Sequence, residues 1–136
     1  MTSRRTKEIL KRFDQRYLES GSVLQEVERE VIGISGGANG YTTLAQAEKL
    51  AVVLDLGPGK RLLDVGGGRG WPGLFLAERT GCDVVSSDVP LVALTIARKR
   101  ADDLGLAGRC DVLVASGTAL PFRARSFDGV VHTDVI

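Results

Sequence analysis

Net charge is almost absent from this chain. Its 18 lysines and arginines meet 17 aspartates and glutamates, leaving a formal charge of +1. So even a balance gives no whole-molecule attraction to nucleic acid or to acidic membranes. No apolar run reaches membrane-spanning length. The N-terminus, MTSRRTKEILKRF, is basic but lacks the apolar stretch of a secretory signal, and Glu8 and Asp14 argue against an acid-poor transit peptide. Cysteine is limited to Cys82 and Cys110, which lack metal-ligand spacing and fit reduced structural thiols, so no metal site is expected. Repeats and low-complexity tracts are missing too. These absences fit a cytoplasmic protein. What is present is ordinary for a globular domain: 136 residues, 43% hydrophobic and 26% charged, enough for one core.

Helical periodicity dominates the first part of the chain. Thr6 to Glu19 reads as a helix, with Ile9, Phe13 and Tyr17 at four-residue spacing. Ser22 and Gln25 have capping-box spacing for a second helix through Ile32, followed by the glycine-rich loop Gly33 to Gly40. Thr43 and Gln46 form another such pair. The helix after them should carry Leu44, Ala47, Ala51 and Leu54 on one face and end before Gly57, Pro58 and Gly59.

From Arg61 the pattern alternates. Strands are expected at Arg61–Val65, Cys82–Ser87, Asp111–Ala115 and Phe127–His132. Helices are expected at Pro72–Arg79, closed by Gly81, and at Leu91–Leu104 with Leu94, Ala97, Ala101 and Leu104 inward. Strands alternating with helices imply an α/β fold with a Rossmann-like parallel sheet and right-handed crossovers. Ligands in such sheets bind at the carboxyl ends of the strands.

The residues at those ends are unusual. In LLDVGGGRGWPG, Gly66, Gly68 and Gly70 follow Asp64, and glycine lets a ligand approach the backbone closely. Asp88 closes the second strand, where an acid can accept hydrogen bonds from both hydroxyls of a ribose. Gly68, Gly70 and Gly73 also satisfy the dinucleotide pattern G-x-G-x-x-G, so an NAD(P)-dependent oxidoreductase is a competing reading. Against it, a dinucleotide site must hold a pyrophosphate at the helix N-terminus. Asp64 at the strand end instead suits a ligand carrying an ammonium and a sulfonium. About sixty residues also precede the first strand.

Together with SSDVP and GTALPFRARSFDGVV, this segment resembles the class I S-adenosylmethionine-dependent methyltransferases, over roughly Gly40 to Ile136. The likeness is to the small-molecule branch that includes phosphoethanolamine, sarcosine and quinone-pathway enzymes. The resemblance implies S-adenosyl-L-methionine as cofactor. Asp64 and the backbone of Gly66 and Gly68 would lie toward its methionine end, with Gly70 also in the cofactor-binding turn, Asp88 at the ribose and Val89 against adenine. Relatives often place an acid shortly before L-P-F, facing the adenine amino group; here Ser116 and Gly117 stand there, and a neutral hydroxyl makes a weaker contact.

Methyl transfer from a sulfonium is a direct displacement, so the protein chiefly aligns the nucleophile and excludes water. A base is needed only for an acceptor that arrives protonated. The candidates are His132, the only histidine, at the end of strand four; Asp134, by its place after S-F-D; and Tyr41, resembling a tyrosine that closes over the cofactor. Each has a plainer reading, as a structural histidine, a helix cap and a loop anchor. Trp71 is expected to pack at the mouth of the turn without chemistry. The basic residues of the first helix read as a solvated face. VHTDVI stands where enzymes acting on nucleobase amino groups place Asn/Asp-Pro-Pro-aromatic, so the expected acceptor is a small molecule rather than nucleic acid.

The resemblance implies seven strands, whereas four are legible, in the order three-two-one-four. The expected organisation is an N-terminal helical lid or cap over residues 1–40 and a partial, C-terminally truncated methyltransferase domain over 41–136. Strand four then forms an open edge capable of self-association. Truncation also keeps open a non-catalytic cofactor-binding module.

Overall fold

The computed structural model describes residues 42–133, together with Arg4, Arg5, Lys7, Glu8 and Lys11 in helical conformation. Arg4 and Glu8 form an exposed i,i+4 ion pair at 3.6 Å. The rest of the helix expected at Thr6–Glu19, the helix from Ser22 and the loop Gly33–Gly40 lie outside the described residues.

The first full helix, α1 (Leu44–Val53), starts at the expected capping box. The Gln46 N–H donates to Thr43 Oγ1 at 3.2 Å and the Thr43 N–H to Gln46 Oε1 at 2.9 Å. Such a cap is worth about 1 kcal/mol. Ala47 is fully buried, and Leu50, Ala51 and Leu54 pack on the core. The helix ends through two bonds, from the Leu56 N–H to the Ala51 carbonyl and from the Asp55 N–H to that of Val52, with Asp55 itself left-handed at φ 50°.

Strand β1 (Arg61–Val65), helix α2 (Gly73–Thr80), strand β2 (Asp83–Asp88), helix α3 (Leu91–Asp103) and strands β3 (Cys110–Val114) and β4 (Gly129–Val131) follow. The strands pair in parallel in the order β3-β2-β1-β4, as expected. The register puts Leu62 and Asp64 beside Val84 and Ser86 on one sheet face. The core gathers Leu62, Val84, Cys110 and Val131 with Leu74, Leu76 and Ala77 of α2 and Ala101 of α3.

Several element ends move by one or two residues. Pro72 is the N-cap of α2 rather than its first residue, β2 takes in Asp88, and β3 begins at Cys110. The fourth strand is three residues long, and Arg61 ties down the chain before it. The Arg61 N–H donates to Asp128 Oδ2 at 2.8 Å, its guanidinium donates to the Ser126 carbonyl at 3.1 Å, and its Cζ lies 5.0 Å from the Phe127 ring centroid.

Leu104 does not face inward: it is 44% exposed. It is the C-cap of α3, beyond the last turn, and left-handed Gly105 reverses the chain so that Leu106 enters the core instead. Cys82 and Cys110 are free thiols in that core. Burial pushes both thiols up, Cys110 to about 11. They are staggered rather than level, since Cys110 pairs with Val84. Among the described residues no helix is long and apolar enough to cross a membrane.

Candidate functional site

The turn Gly66–Trp71 leaves β1 at its carboxyl end, next to the end of β2. Gly66, Gly68 and Gly70 have φ of 73°, 53° and 103°, a region that side chains with a Cβ rarely adopt. Its proximal half is pinned to β2. The Ser87 carbonyl accepts from the Gly66 N–H at 2.7 Å and the Gly67 N–H at 3.1 Å. Asp88 Oδ2 accepts from the Gly68 N–H at 2.9 Å, and Asp88 Oδ1 from the Val89 N–H at 2.7 Å. The acid expected to meet a ribose therefore also shapes the turn beside it, and each oxygen keeps a further lone pair.

Asp64 behaves differently. It lies beneath the turn, 1% exposed, and accepts the Gly73 N–H at 3.1 Å through Oδ2. Burial is the main force on its carboxyl, offset in part by that N–H and reinforced by the charge of Asp88, and it moves the pKa up to about 8. At neutral pH the group is mainly protonated. With no cation beside it, Asp64 is thus held mainly neutral, and it braces the turn from below. The reason is local packing. A Cβ on Gly73 would stand 2.8 Å from Asp64 Oδ2, and one on Gly67 would stand 3.2 Å from Asp64 Cγ and 3.1 Å from Ser86 Cβ. Two glycines that the spacing G-x-G-x-G leaves out let the backbone close over the acid.

A cleft of about 530 Å³ opens at the carboxyl ends of β1, β2 and β4. It is lined by Val65, Gly66, Asp88, Val89, Ala115, Gly117, Thr118, Leu120 and His132. Its size falls in the range of small-ligand pockets. Gly66, Asp88, Val89, Gly117 and His132 are thus brought together as the sequence suggests. Thr118 and Leu120 were not foreseen, although Leu120 opens the L-P-F stretch. Ser116 is next to the cleft but not in its lining. Its hydroxyl is 2.8 Å from Thr118 Oγ1 and accepts the Thr118 N–H at 3.3 Å, a local turn that leaves Thr118 facing the space. Gly70 packs on Leu74 instead, where its absent Cβ would come within 2.5 Å of Leu74 Cδ1. Tyr41 and Asp134 lie outside the described residues.

Residues 62–136 match the methyltransferase domain family. A relative, 24-methylenesterol C-methyltransferase 2 of Oryza sativa subsp. japonica, is 34% identical over 96 residues, covering 71% of this chain and 26% of that protein. The ubiquinone/menaquinone biosynthesis C-methyltransferase UbiE of Cereibacter sphaeroides is 39% identical over 72 residues, covering 52% of this chain and 29% of its own length. The chain therefore spans between a quarter and a third of these relatives. Among solved structures, geranyl diphosphate methyltransferase in complex with GPP and sinefungin aligns with TM-score 0.54 and 32% identity, over 58% of this chain and 30% of that one. The S-adenosyl-L-homocysteine complex of a methyltransferase from Thiobacillus denitrificans shares the fold at TM-score 0.60 and 24% identity, over 68% and 37% of the two chains. The dinucleotide reading of Gly68, Gly70 and Gly73 gives way to these matches, because Gly73 serves to cover Asp64. By sheet order, turn and family match, the chain belongs to the class I S-adenosylmethionine-dependent methyltransferase domain family.

Proposed function

We propose that this chain provides the S-adenosyl-L-methionine site of an enzyme that methylates a small-molecule acceptor. The carrying observation is the cleft at the strand ends, where Asp88 stands between the glycine turn and the apolar wall of Val89 and Leu120. When bound, the cofactor supplies a methyl group on a sulfonium. Asp88 has lone pairs for two ribose hydroxyls, and Val89 and Gly117 offer an apolar slot for adenine. The half-buried backbone of Gly66, in the cleft lining, admits the methionine end above the buried Asp64 brace. His132, exposed at the cleft rim after β4, is the group in the lining suited to orient an acceptor or to take its proton. Asp134 and Tyr41 are assigned to the acceptor and to cofactor closure by family resemblance alone.

In the same reading, residues 1–40 form a helical lid or cap on the 41–136 domain, the protein works in the cytoplasm, and β4 supports self-association. β4 has a partner only in β1 among the described residues. The alternative reading is a cofactor-binding module without catalysis.

Calorimetry of the full chain with S-adenosylhomocysteine, and separately with NAD, tests the site: saturable binding of the first and none of the second is expected, and the reverse overturns the proposal. Labelled methyl transfer to amines, phenols and quinone precursors then separates enzyme from module, with no transfer to any acceptor favouring the module.

A further inference from the structure

The two halves of the glycine turn are held by different parts of the molecule. The proximal half hangs on β2, through Ser87 and Asp88. The distal half runs into Trp71, whose indole is buried away from the main core in a small cluster with Ala47, Leu44 and Phe75. The Trp71 and Phe75 rings lie 5.4 Å apart between centroids, tilted by 41°. Trp71 Nε1–H donates at 3.0 Å to the carbonyl of Thr42, two residues ahead of α1. Thr42 is itself buried, so water does not compete readily for that carbonyl. Gly70 itself adds no anchor beyond its backbone, since Leu74 occupies the place of its side chain, and two residues past Trp71 the Gly73 N–H holds to Asp64.

We infer that Trp71 is a positioning residue for the cofactor turn: its indole bond to the Thr42 carbonyl fixes the distal half of the turn and thereby sets the affinity for the cofactor. The inference rests on the proposed cofactor site. It follows from mechanics. Gly66, Gly68 and Gly70 give the turn three hinges that no Cβ restricts, and a ligand lying on its backbone must find those hinges already set or spend binding energy setting them. The proximal hinges are set by β2. The last is followed at once by a bulky ring whose only polar group is committed to the segment before α1. Ordering of the turn by a ligand must then reach the indole, and disorder of the indole must reach the ligand.

Trp71 is the only tryptophan in the chain, so its emission reports on the surroundings of this indole. The test titrates the full 136-residue chain with S-adenosylhomocysteine, by calorimetry and by tryptophan emission in parallel. A saturable emission change with the calorimetric dissociation constant is expected. Trp71→Phe keeps a ring against Phe75 but removes the donor; it is expected to bind S-adenosylhomocysteine at least roughly fivefold more weakly while melting cooperatively. A residue that only supports the fold would lower the melting temperature and leave the dissociation constant of the folded protein unchanged, and that result overturns the inference. So does heat of binding without any change in emission, an arm that stands even if the variant fails to fold. Absence of binding heat in the wild type would instead remove the cofactor site, and this inference with it.

Discussion

The carboxyl ends of the inner and outer strands are built differently. Where β1 and β2 end, the backbone N–H groups of Gly66, Gly67, Gly68 and Gly73 all have partners in Ser87, Asp88 or Asp64. Where β3 ends, the chain is tied to β2 by the Ala115 N–H to the Asp88 carbonyl at 3.0 Å, and from there to Asp128 it is mostly exposed. The first region is preorganised before any ligand arrives, and the second can take its shape from what docks there. Both regions meet in one cleft, where Gly66 and Asp88 of the first face Gly117, Thr118 and Leu120 of the second.

Substitutions can break this contrast, and the largest effect is expected at Gly70. Gly70→Ala puts a Cβ at φ 103° within 2.5 Å of Leu74 Cδ1, and Leu74 is buried. A loss of about 2–4 kcal/mol in urea unfolding, with cofactor binding abolished, is expected. Gly117→Ala, on the looser side, meets only Val65 Cγ1 at 3.3 Å, and its unfolding midpoint should stay near wild type. Equal losses at the two glycines would erase the contrast.

Next comes Asp88→Ala, which removes the acceptor of the Gly68 and Val89 N–H groups as well as the ribose contact. S-adenosylhomocysteine should bind about 1.5–3 kcal/mol more weakly, roughly ten- to a hundredfold, by calorimetry. An unchanged dissociation constant in a folded variant would remove Asp88 from the site.

Asp64 gives a pH signature. Its carboxyl titrates at about 8 in the fold against about 4 when unfolded, so between those values the folded state holds the extra proton. Stability should therefore fall as pH rises from about 4 to about 8, by at most about 1.4 kcal/mol per pH unit from this group, and level off above. Asp64→Asn keeps an acceptor for the Gly73 N–H without the ionisation. Its urea midpoints at pH 5 and pH 8 should differ less than those of the wild type; parallel profiles would mean that Asp64 ionises within the fold.

The smallest effect is expected at Ser116. Ser116→Ala loses only the exposed contact with Thr118, so cofactor affinity should change less than about threefold. A drop comparable with that of Asp88→Ala would make the hydroxyl a direct ligand contact and bring the outer region up to the order of the inner one.

These residues also show what a sequence can carry. Sheet order, the Thr43–Gln46 cap, the Gly81 stop and the place of Asp88 at the end of β2 depend on neighbours a few residues away or on strand–helix alternation, and they were legible. The burial of Asp64 was not, because it depends on Gly67 and Gly73 closing from a turn and a helix start whose approach appears only in three dimensions. The outward Leu104 had a readable signal in Gly105, a left-handed stop that moves the next inward position to Leu106. Ser116 engages Thr118 in a strictly local turn, which the resemblance to relatives with an acid there did not show. Tyr41 and Asp134 rest on resemblance alone.

The central place of β1 has a kinetic consequence. Its first neighbour, β2, follows closely along the chain, but its second, β4, is fixed by Arg61 and Asp128, 67 residues apart. During synthesis, one side of β1 must wait for that stretch to leave the ribosome before its ladder can close. Parallel pairing at such separation makes folding slow relative to the local helices. Until β4 arrives, β1 exposes an unpaired apolar strand, Leu62 and Leu63 included, and the nascent chain is most open to misassociation during that interval.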